Sequence, residues 1–168
     1  SDEIIVTQLA RKFGLRLLAR NAQILPVTGK GEFIEAAKLF RLMNKRVSLL
    51  ADLDALADEN DLVNYFSGLP EAGPIADQIG RTNLADLDRD LRAEITTFIA
   101  DFKKEVDTAA ENYLDWSSKD SGADTVRRVT LARILIDPAS FGTEASLRAE
   151  SLCRKYNVLL SSLHNLEI

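Results

Sequence analysis

The sequence predicts an α/β fold, a parallel β-sheet that carries a helical insertion, and three observations favour it. Short apolar runs of strand length occur at 22–27, 47–51 and 158–160. Segments with helical periodicity alternate with these runs, an order typical of right-handed parallel α/β units. Between 70 and 120 the alternation stops, because the apolar residues there recur only at steps of three and four.

Glycine and proline mark the boundary of the insertion. Both are concentrated in S-G-L-P-E-A-G-P, which begins at Ser67. The expected parts are, in order, the N-terminal part of the α/β core at 1–69, the helical insertion at 70–120, and returning helices with a last core strand at 121–168. The insertion is predicted to hold one long helix, 84–116, with Asn83 as its N-cap.

The other helices are predicted from the same periodicity and from their end signals. Their expected ranges are 2–13, 32–43, 59–66, 125–136 and 143–156. Gly14 is positioned to end the first helix, and Ile5, Leu9 and Phe13 form its apolar stripe. The charged side chains of the insertion are expected to be solvated. They include Asp88, Arg89, Arg92, Lys103 and Lys104.

Two carboxylates, Asp52 and Asp54, come directly after the apolar run 47–51. Residues two apart on an extended chain point to the same side, and ligands bind beyond the carboxyl ends of parallel strands. Clustered carboxylates repel each other unless a cation lies between them, and their oxygens suit Mg²⁺ or Mn²⁺. The pair therefore predicts a divalent metal site. The open alternative is that one acid caps the following helix, or that both are solvated.

A glycine-rich turn, T-G-K-G, joins the run 22–27 to the next predicted helix. We expect Gly29 and Gly31 to provide the tight turn. The alternative is a phosphate cradle formed by Gly29, Lys30 and Gly31 at the helix N-terminus. G-K-G lacks the spacing and the Lys-Ser/Thr end of a P-loop, so the turn is favoured.

Composition excludes several classes of site. The 168 residues carry a formal charge of −5, which argues against nucleic-acid binding by bulk electrostatics but not against a metal-neutralised acidic centre. The single Cys153 excludes an internal disulfide and is expected to be a packing residue; the single His164 excludes sites that need two imidazoles. No apolar run approaches a membrane span of about 20 residues, and the acidic N-terminus is unlike a signal peptide. A cytoplasmic location without membrane contact is therefore expected.

Three stretches together resemble the TOPRIM domain of the OLD (overcoming lysogenization defect) family nucleases. They are I-L-P-V-T-G-K-G-E-F, K-R-V-S-L-L-A-D-L-D-A and Y-N-V-L-L-S-S-L-H-N-L-E. The resemblance implies a TOPRIM-like, Rossmann-like sheet. Asp52 and Asp54 match the family's D-x-D metal ligands, Asp2 matches a second acid, and Glu167 matches the acid near the last strand. The family's first glutamate would precede Ser1, and its catalytic lysine would lie beyond the last residue, so the chain resembles a fragment.

If the resemblance holds, the function is that of a metal-dependent DNA endonuclease acting through two Mg²⁺ or Mn²⁺ ions. The resemblance further implies DNA as substrate, a role in phage defence, and ATP used only by a separate ATPase region of the parent protein or of a partner chain. A homo-oligomer is a further expectation. His164 is within the same C-terminal stretch, although a surface or helix-packing histidine is favoured over a phosphate ligand.

Two other functions remain open from the sequence. D-x-D also occurs in haloacid-dehalogenase-like phosphohydrolases, although the site usually opens the domain and continues into Thr or Val, where Ala55 stands here. The second is a non-catalytic regulatory or assembly module. In that module the long helix would offer a partner surface through Leu91, Phe98 and Phe102.

Overall fold

The structure, a computed structural model, describes residues 2–27, 30–51, 54–57, 62–113 and 122–166. Within these ranges every regular element is a helix, and no residue belongs to a β-strand. The predicted α/β fold with a parallel sheet is therefore wrong for the part of the chain that the structure describes. What replaces the sheet is a set of helices packed around one apolar core.

The helices are labelled here in chain order. They are α1 (Asp2–Lys12), α2 (Lys30–Leu42), α3 (Asp54–Ala57), α4 (Leu62–Ser67), α5 (Ala72–Gln78), α6 (Leu84–Asp101), α7 (Lys103–Tyr113), α8 (Ala123–Ile136) and α9 (Thr143–His164). Short 3₁₀ turns lie at Leu18–Arg20 and Pro138–Phe141. The predicted end of α1 is confirmed, since Gly14 follows it with a φ of +68°.

The first two predicted strands, 22–27 and 47–51, have no regular structure. A strand buried on both faces would cover its apolar side chains, yet Leu25 is 50% exposed and Leu50 is 68% exposed. An apolar run becomes a strand only where a neighbouring strand accepts its backbone hydrogen bonds, and the described residues offer neither segment such a neighbour.

The third predicted strand, 158–160, lies inside α9. A run of three apolar residues fits either a strand or a buried helix, and the surrounding pattern decides between them. Ala149, Leu152, Tyr156 and Leu159 are all buried at steps of three and four, so the helical face continues through the run. Val158 lies off that face and is exposed.

The predicted long helix of the insertion is divided at Phe102. Its φ of −119° and ψ of 39° are not helical, and they separate α6 from α7. Hydrogen bonds continue across the break, because the Phe102 amide donates to the Phe98 carbonyl and the Val106 amide donates to the Phe102 carbonyl, both at 3.0 Å. The Asn83 N-cap is confirmed, since its side chain accepts a hydrogen bond from the Asp86 amide at 2.7 Å.

Helix α6 lies at the centre of the core and contacts α4, α8 and α9. Its fully buried apolar residues are Leu84, Leu91, Ile95 and Phe98. The Phe98 ring meets the Phe141 ring edge to face, with centroids 5.2 Å apart and an interplanar angle of 83°. Because Leu91 and Phe98 are buried, the partner surface expected for the regulatory alternative does not exist at these two positions.

Two ion pairs join α6 to α9 at the edge of this core. Arg148 Nη1 is 2.7 Å from Asp101 Oδ2, and Lys155 Nζ is 2.6 Å from Glu94 Oε1. All four side chains are nearly half exposed, so solvent and salt screen both pairs and each contributes little to stability. Apolar burial therefore accounts for most of the packing between α6 and α9.

Helix α1 takes little part in the core. The apolar stripe predicted for it is exposed, with Ile5 at 59% and Phe13 at 72%, and Ala10 is its buried residue. Helix α2 is attached more closely, since Ala37 is buried, Phe33 and Ile34 pack against the core, and the helix contacts α4. The first 50 residues therefore carry most of the large exposed apolar side chains in the described chain.

Phe98→Ala is expected to lower the free energy of unfolding by about 3–5 kcal/mol, because it removes a fully buried ring and leaves a cavity between α6 and Phe141. Urea denaturation followed by circular dichroism measures the change. Leu147→Ala on α9 is the matched control; Leu147 is 66% exposed, so its change should stay within about 0.5 kcal/mol. Equal effects of the two substitutions would contradict the assigned core.

Candidate functional site

The four predicted metal ligands lie at or beyond the edges of the described structure. Asp2 is the first residue of α1 and Asp54 is the first residue of α3, but neither side chain is among those described. Asp52 and Glu167 lie outside the described residues. The mutual geometry of the four carboxylates therefore stays a prediction. Among the described side chains, no group of three or more Asp, Glu, His or Cys residues is arranged to hold a metal ion.

The structure does show what fixes the chain directly after the D-x-D motif. Ala55, Leu56 and Ala57 of α3 are all buried, and α3 contacts α8. The two alanines have small side chains, which allow close approach of the two helices. A four-residue helix is too short to be stable alone, so this packing holds it in place. Asp54 thus begins a segment that is anchored in the helical core.

The predicted glycine turn is only partly described. Helix α2 begins at Lys30, so Lys30 and Gly31 lie in its first turn rather than before the helix. Gly29 lies outside the described residues, as does the side chain of Lys30. The first-turn amides of a helix have no partners within the helix. The amides at the start of α2 are therefore suited to binding an anion, as the phosphate-cradle alternative requires. Phosphate binding at this turn stays a prediction.

The single cysteine and the single histidine occupy the positions expected of structural residues. Cys153 is half-buried on α9 and packs against the core, and its Sγ accepts a hydrogen bond from Asn157 Nδ2 at 3.5 Å. His164 is the last residue of α9 and is exposed. A histidine there suits the negative end of the helix dipole. The packing role predicted for Cys153 is confirmed.

A buried ion pair is a polar feature that differs from the prediction. Asp88 and Arg92 were predicted to be solvated, but Asp88 is only 8% exposed, and Arg92 Nε donates a hydrogen bond to Asp88 Oδ2 at 2.7 Å. Asp88 Oδ1 is buried and has no hydrogen-bond partner among the described residues. The helical spacing in the sequence does indicate the burial of Asp88. It follows Leu84 by four residues and precedes Leu91 by three, which places it on the buried face of the helix.

Burial shifts the pKa values of Asp88 and of a nearby tyrosine, Tyr156. Burial raises the pKa of Asp88 above its ordinary value of 3.8, and the hydrogen bond and charge of Arg92 oppose that rise. Tyr156 of α9 is fully buried, and burial together with the negative charge of Asp88 raises the pKa of its phenol. Shifted pKa values often mark active sites, but these groups lie in a packed core, so a structural role fits them better.

A comparison with known families gives a match at the N-terminus. Residues 1–54 match the sequence model of the family described as Overcoming lysogenization defect protein-like, TOPRIM domain. The match confirms the resemblance for the two N-terminal stretches and includes Asp2, Asp52 and Asp54. The third stretch, with Glu167, lies outside the matched residues. TOPRIM domains typically belong to enzymes that process nucleic acids, and they generally bind divalent metals. The chain matches no curated protein and no solved structure.

The matched region and the helical core are different parts of the chain. The match ends at Asp54, and the apolar core cluster begins with Ala55 and extends to Leu166. The two parts meet at α3, where the D-x-D motif leads directly into the core. Among the described helices, none is both long enough and apolar enough to cross a membrane.

Asp88 predicts a distinct pH dependence of stability. Because its pKa is raised in the folded chain, the folded state retains the proton longer than the unfolded state, and the free energy of unfolding falls as pH rises through the window above 3.8. Asp88→Asn removes this titration. The stability of the wild type relative to Asp88→Asn should therefore decrease with rising pH across that window.

Urea denaturation of both proteins at a series of pH values measures this dependence. Asp77→Asn, which removes an exposed carboxylate at the end of α5, controls for the loss of one negative charge. A wild-type advantage over Asp88→Asn that grows with rising pH would show that Asp88 ionises more easily in the folded chain than in the unfolded chain.

Proposed function

We propose that this chain supplies metal-binding carboxylates to a metal-dependent DNA endonuclease of the OLD type, which hydrolyses phosphodiester bonds. The observation that carries the proposal is the family match over residues 1–54, which ends at the D-x-D motif. A nucleic-acid-processing role follows from the family. Endonuclease chemistry, and DNA rather than RNA as substrate, are the specific parts of the proposal.

The donor set suits a hard divalent cation. Asp2, Asp52, Asp54 and Glu167 all offer carboxylate oxygens, which Mg²⁺ and Mn²⁺ prefer over thiolate or imidazole ligands. The chain has one cysteine and one histidine, so carboxylates are its main metal-binding chemistry. Bound divalent ions would supply charge stabilisation to the phosphate under attack. We assign Asp52 and Asp54 as the principal ligands, with Asp2 and Glu167 completing the coordination.

The packing of α3 supports a positioning role for the core. Ligands must be held within a fraction of an ångström of their working geometry, and residues on rigid elements achieve this better than residues on free loops. Asp54 begins α3, whose next three residues are buried and which contacts α8. In this proposal the helical core serves the acidic motif as a rigid support.

The charge of the chain agrees with this division of roles. A formal charge of −5 gives no general attraction for DNA, so DNA contact would depend on cations held by the carboxylates and on other regions or chains. We propose that ATP is used only by a separate ATPase region. We also propose that the assembled nuclease acts on foreign DNA in the cytoplasm as part of phage defence. Self-association of the chain is a further part of the proposal.

Nicking of supercoiled plasmid in Mg²⁺ and in Mn²⁺ tests the proposal, using this chain and the complete product of its gene. Asp52→Ala is expected to reduce cleavage by at least about 100-fold, because it removes a carboxylate that binds the metal directly. Its free energy of unfolding should change by less than about 0.5 kcal/mol. Asp77→Ala, which removes an exposed carboxylate of α5, should cleave as the wild type does.

Metal binding is measured separately, so that a failure to cleave can be interpreted. Mg²⁺ or Mn²⁺ should raise the melting temperature of the wild type and of Asp77→Ala but not that of Asp52→Ala, because a ligand that binds only the folded state stabilises it. Cleavage retained in folded Asp52→Ala would reject its assignment as a ligand. No cleavage by the complete gene product, with no metal-dependent stabilisation, would reject the nuclease proposal.

A further inference from the structure

A surface cavity of about 350 Å³ lies far along the chain from the D-x-D motif. It is formed where the start of α7, the end of α8 and the turn before α9 meet. Its lining residues are Lys104, Glu105, Thr108, Arg133, Phe141 and Gly142, together with Ala109 and Ser140. The buried ring of Phe141 and the buried Ala109 form its apolar floor. The other residues place charged and polar groups around that floor.

Arg133 lines the cavity and carries a hydrogen-bond donor that has no partner among the described residues. Its Nε is buried and has no acceptor among the described residues. A buried donor without an acceptor costs free energy, and most such groups in folded proteins do have a partner. Arg133 also makes no ion pair with any described residue. The buried Nε is closed to a ligand, so an oxyanion in the cavity would accept hydrogen bonds from the terminal guanidinium nitrogens, which are not among the buried unpaired atoms.

A second cation and a helix end lie beside Arg133. Lys104, in the first turn of α7, makes no ion pair within the described part of the chain. Gly142 precedes α9, a helix of 22 residues, and no side chain caps the start of that helix. Its first-turn amides therefore add donors and the positive end of the helix dipole to this rim. Glu105 is the one acidic residue among those that line the cavity.

We propose that this cavity binds a phosphate group. Arg133 would hold it through the planar donor fork that suits oxyanions, and Lys104 would add a point charge from a different helix. The hydroxyl groups of Thr108 and Ser140 also lie at this rim, but they donate their protons to the carbonyls of Lys104 and Asp137, so the donors to a phosphate are the two cations and the first amides of α9. Donors that approach from three elements fit a tetrahedral oxyanion better than a planar carboxylate. Glu105 lowers the affinity by repulsion.

This proposal does not depend on the proposed nuclease function. The cavity uses none of the four predicted metal ligands, and phosphate binding is measured without divalent metal and without cleavage. The phosphate group has two possible sources, a small phosphate monoester or the diester backbone of a nucleic acid. Both offer the same oxygens to Arg133 and Lys104.

The test follows the side-chain Nε–H signals of the arginines by ¹H–¹⁵N NMR while inorganic phosphate is added at constant ionic strength, with chloride as the reference salt. The signal assigned to Arg133 by its loss in Arg133→Lys should move and reach saturation. Circular dichroism confirms that each variant is folded. No saturable movement of this signal would overturn the proposal.

Charge variants at the rim make the test specific. Lys104→Gln should weaken phosphate binding about fivefold to tenfold, and Arg133→Lys should weaken it similarly, because the first loses a charge and the second loses the planar fork. Glu105→Gln should strengthen binding about twofold to threefold, since it removes the opposing charge. Arg154→Gln is the matched control, because Arg154 is an exposed arginine of α9 that does not line the cavity. Equal weakening by Arg154→Gln and Lys104→Gln would indicate nonspecific attraction and reject the site.

Two further titrations distinguish the sources. A nucleoside monophosphate and a short DNA duplex are added in place of phosphate to the wild type and to Lys104→Gln. Saturable binding of either one that weakens in Lys104→Gln supports the site and identifies monoester or diester as the preferred source. Lys104 is exposed, so this variant remains informative even if Arg133→Lys does not fold. No binding of phosphate, monophosphate or duplex rejects the proposal.

Discussion

Burial of one face of α6 is the constraint on which the rest of the described structure depends. Leu84, Leu91, Ile95 and Phe98 recur at steps of three, four and seven, and all are enclosed by α4, α8 and α9. Removing this much apolar surface from water is the main favourable contribution to folding. The short helices α3 and α4 owe their stability to the same core, because neither is long enough to be stable alone. The placement of α3, which begins at Asp54, thus depends indirectly on α6.

The chain combines a family-matched N-terminal part with a helical core that begins where the match ends. The matched part is poorly buried in the described structure, with Phe13 and Leu50 exposed and α1 contributing little to the core. The part of the chain that matches a family is therefore not the part that forms the buried core. The acidic motif ends the matched part, and Asp54 begins α3, whose next three residues are buried in the core.

Two polar features, one in the core and one at the surface, show how helix packing brings together side chains that a linear pattern does not connect. Asp88 and Arg92 pair inside the core because both lie near the face of α6 that α9 covers, where Tyr156 is also buried. Lys104 and Arg133 share a cavity although they are 29 positions apart in the sequence, because α7 and α8 pack against each other. In the Asp88–Arg92 pair the two opposite charges offset each other within the core. In the Lys104–Arg133 pair both charges are positive and are available to a ligand.

The sequence by itself determined the helices whose signals are local and the family to which residues 1–54 are matched. Gly14 ends α1 and Asn83 caps α6 as predicted, because the left-handed turn and the side-chain cap involve only neighbouring residues. Short stretches of sequence, the D-x-D motif among them, also carried the resemblance that the family match over residues 1–54 confirms. Tertiary structure alone decided the rest. The run 158–160 became helix because α9 continues a buried face, and 22–27 and 47–51 gained no strand because strands require partners that a sequence pattern cannot supply.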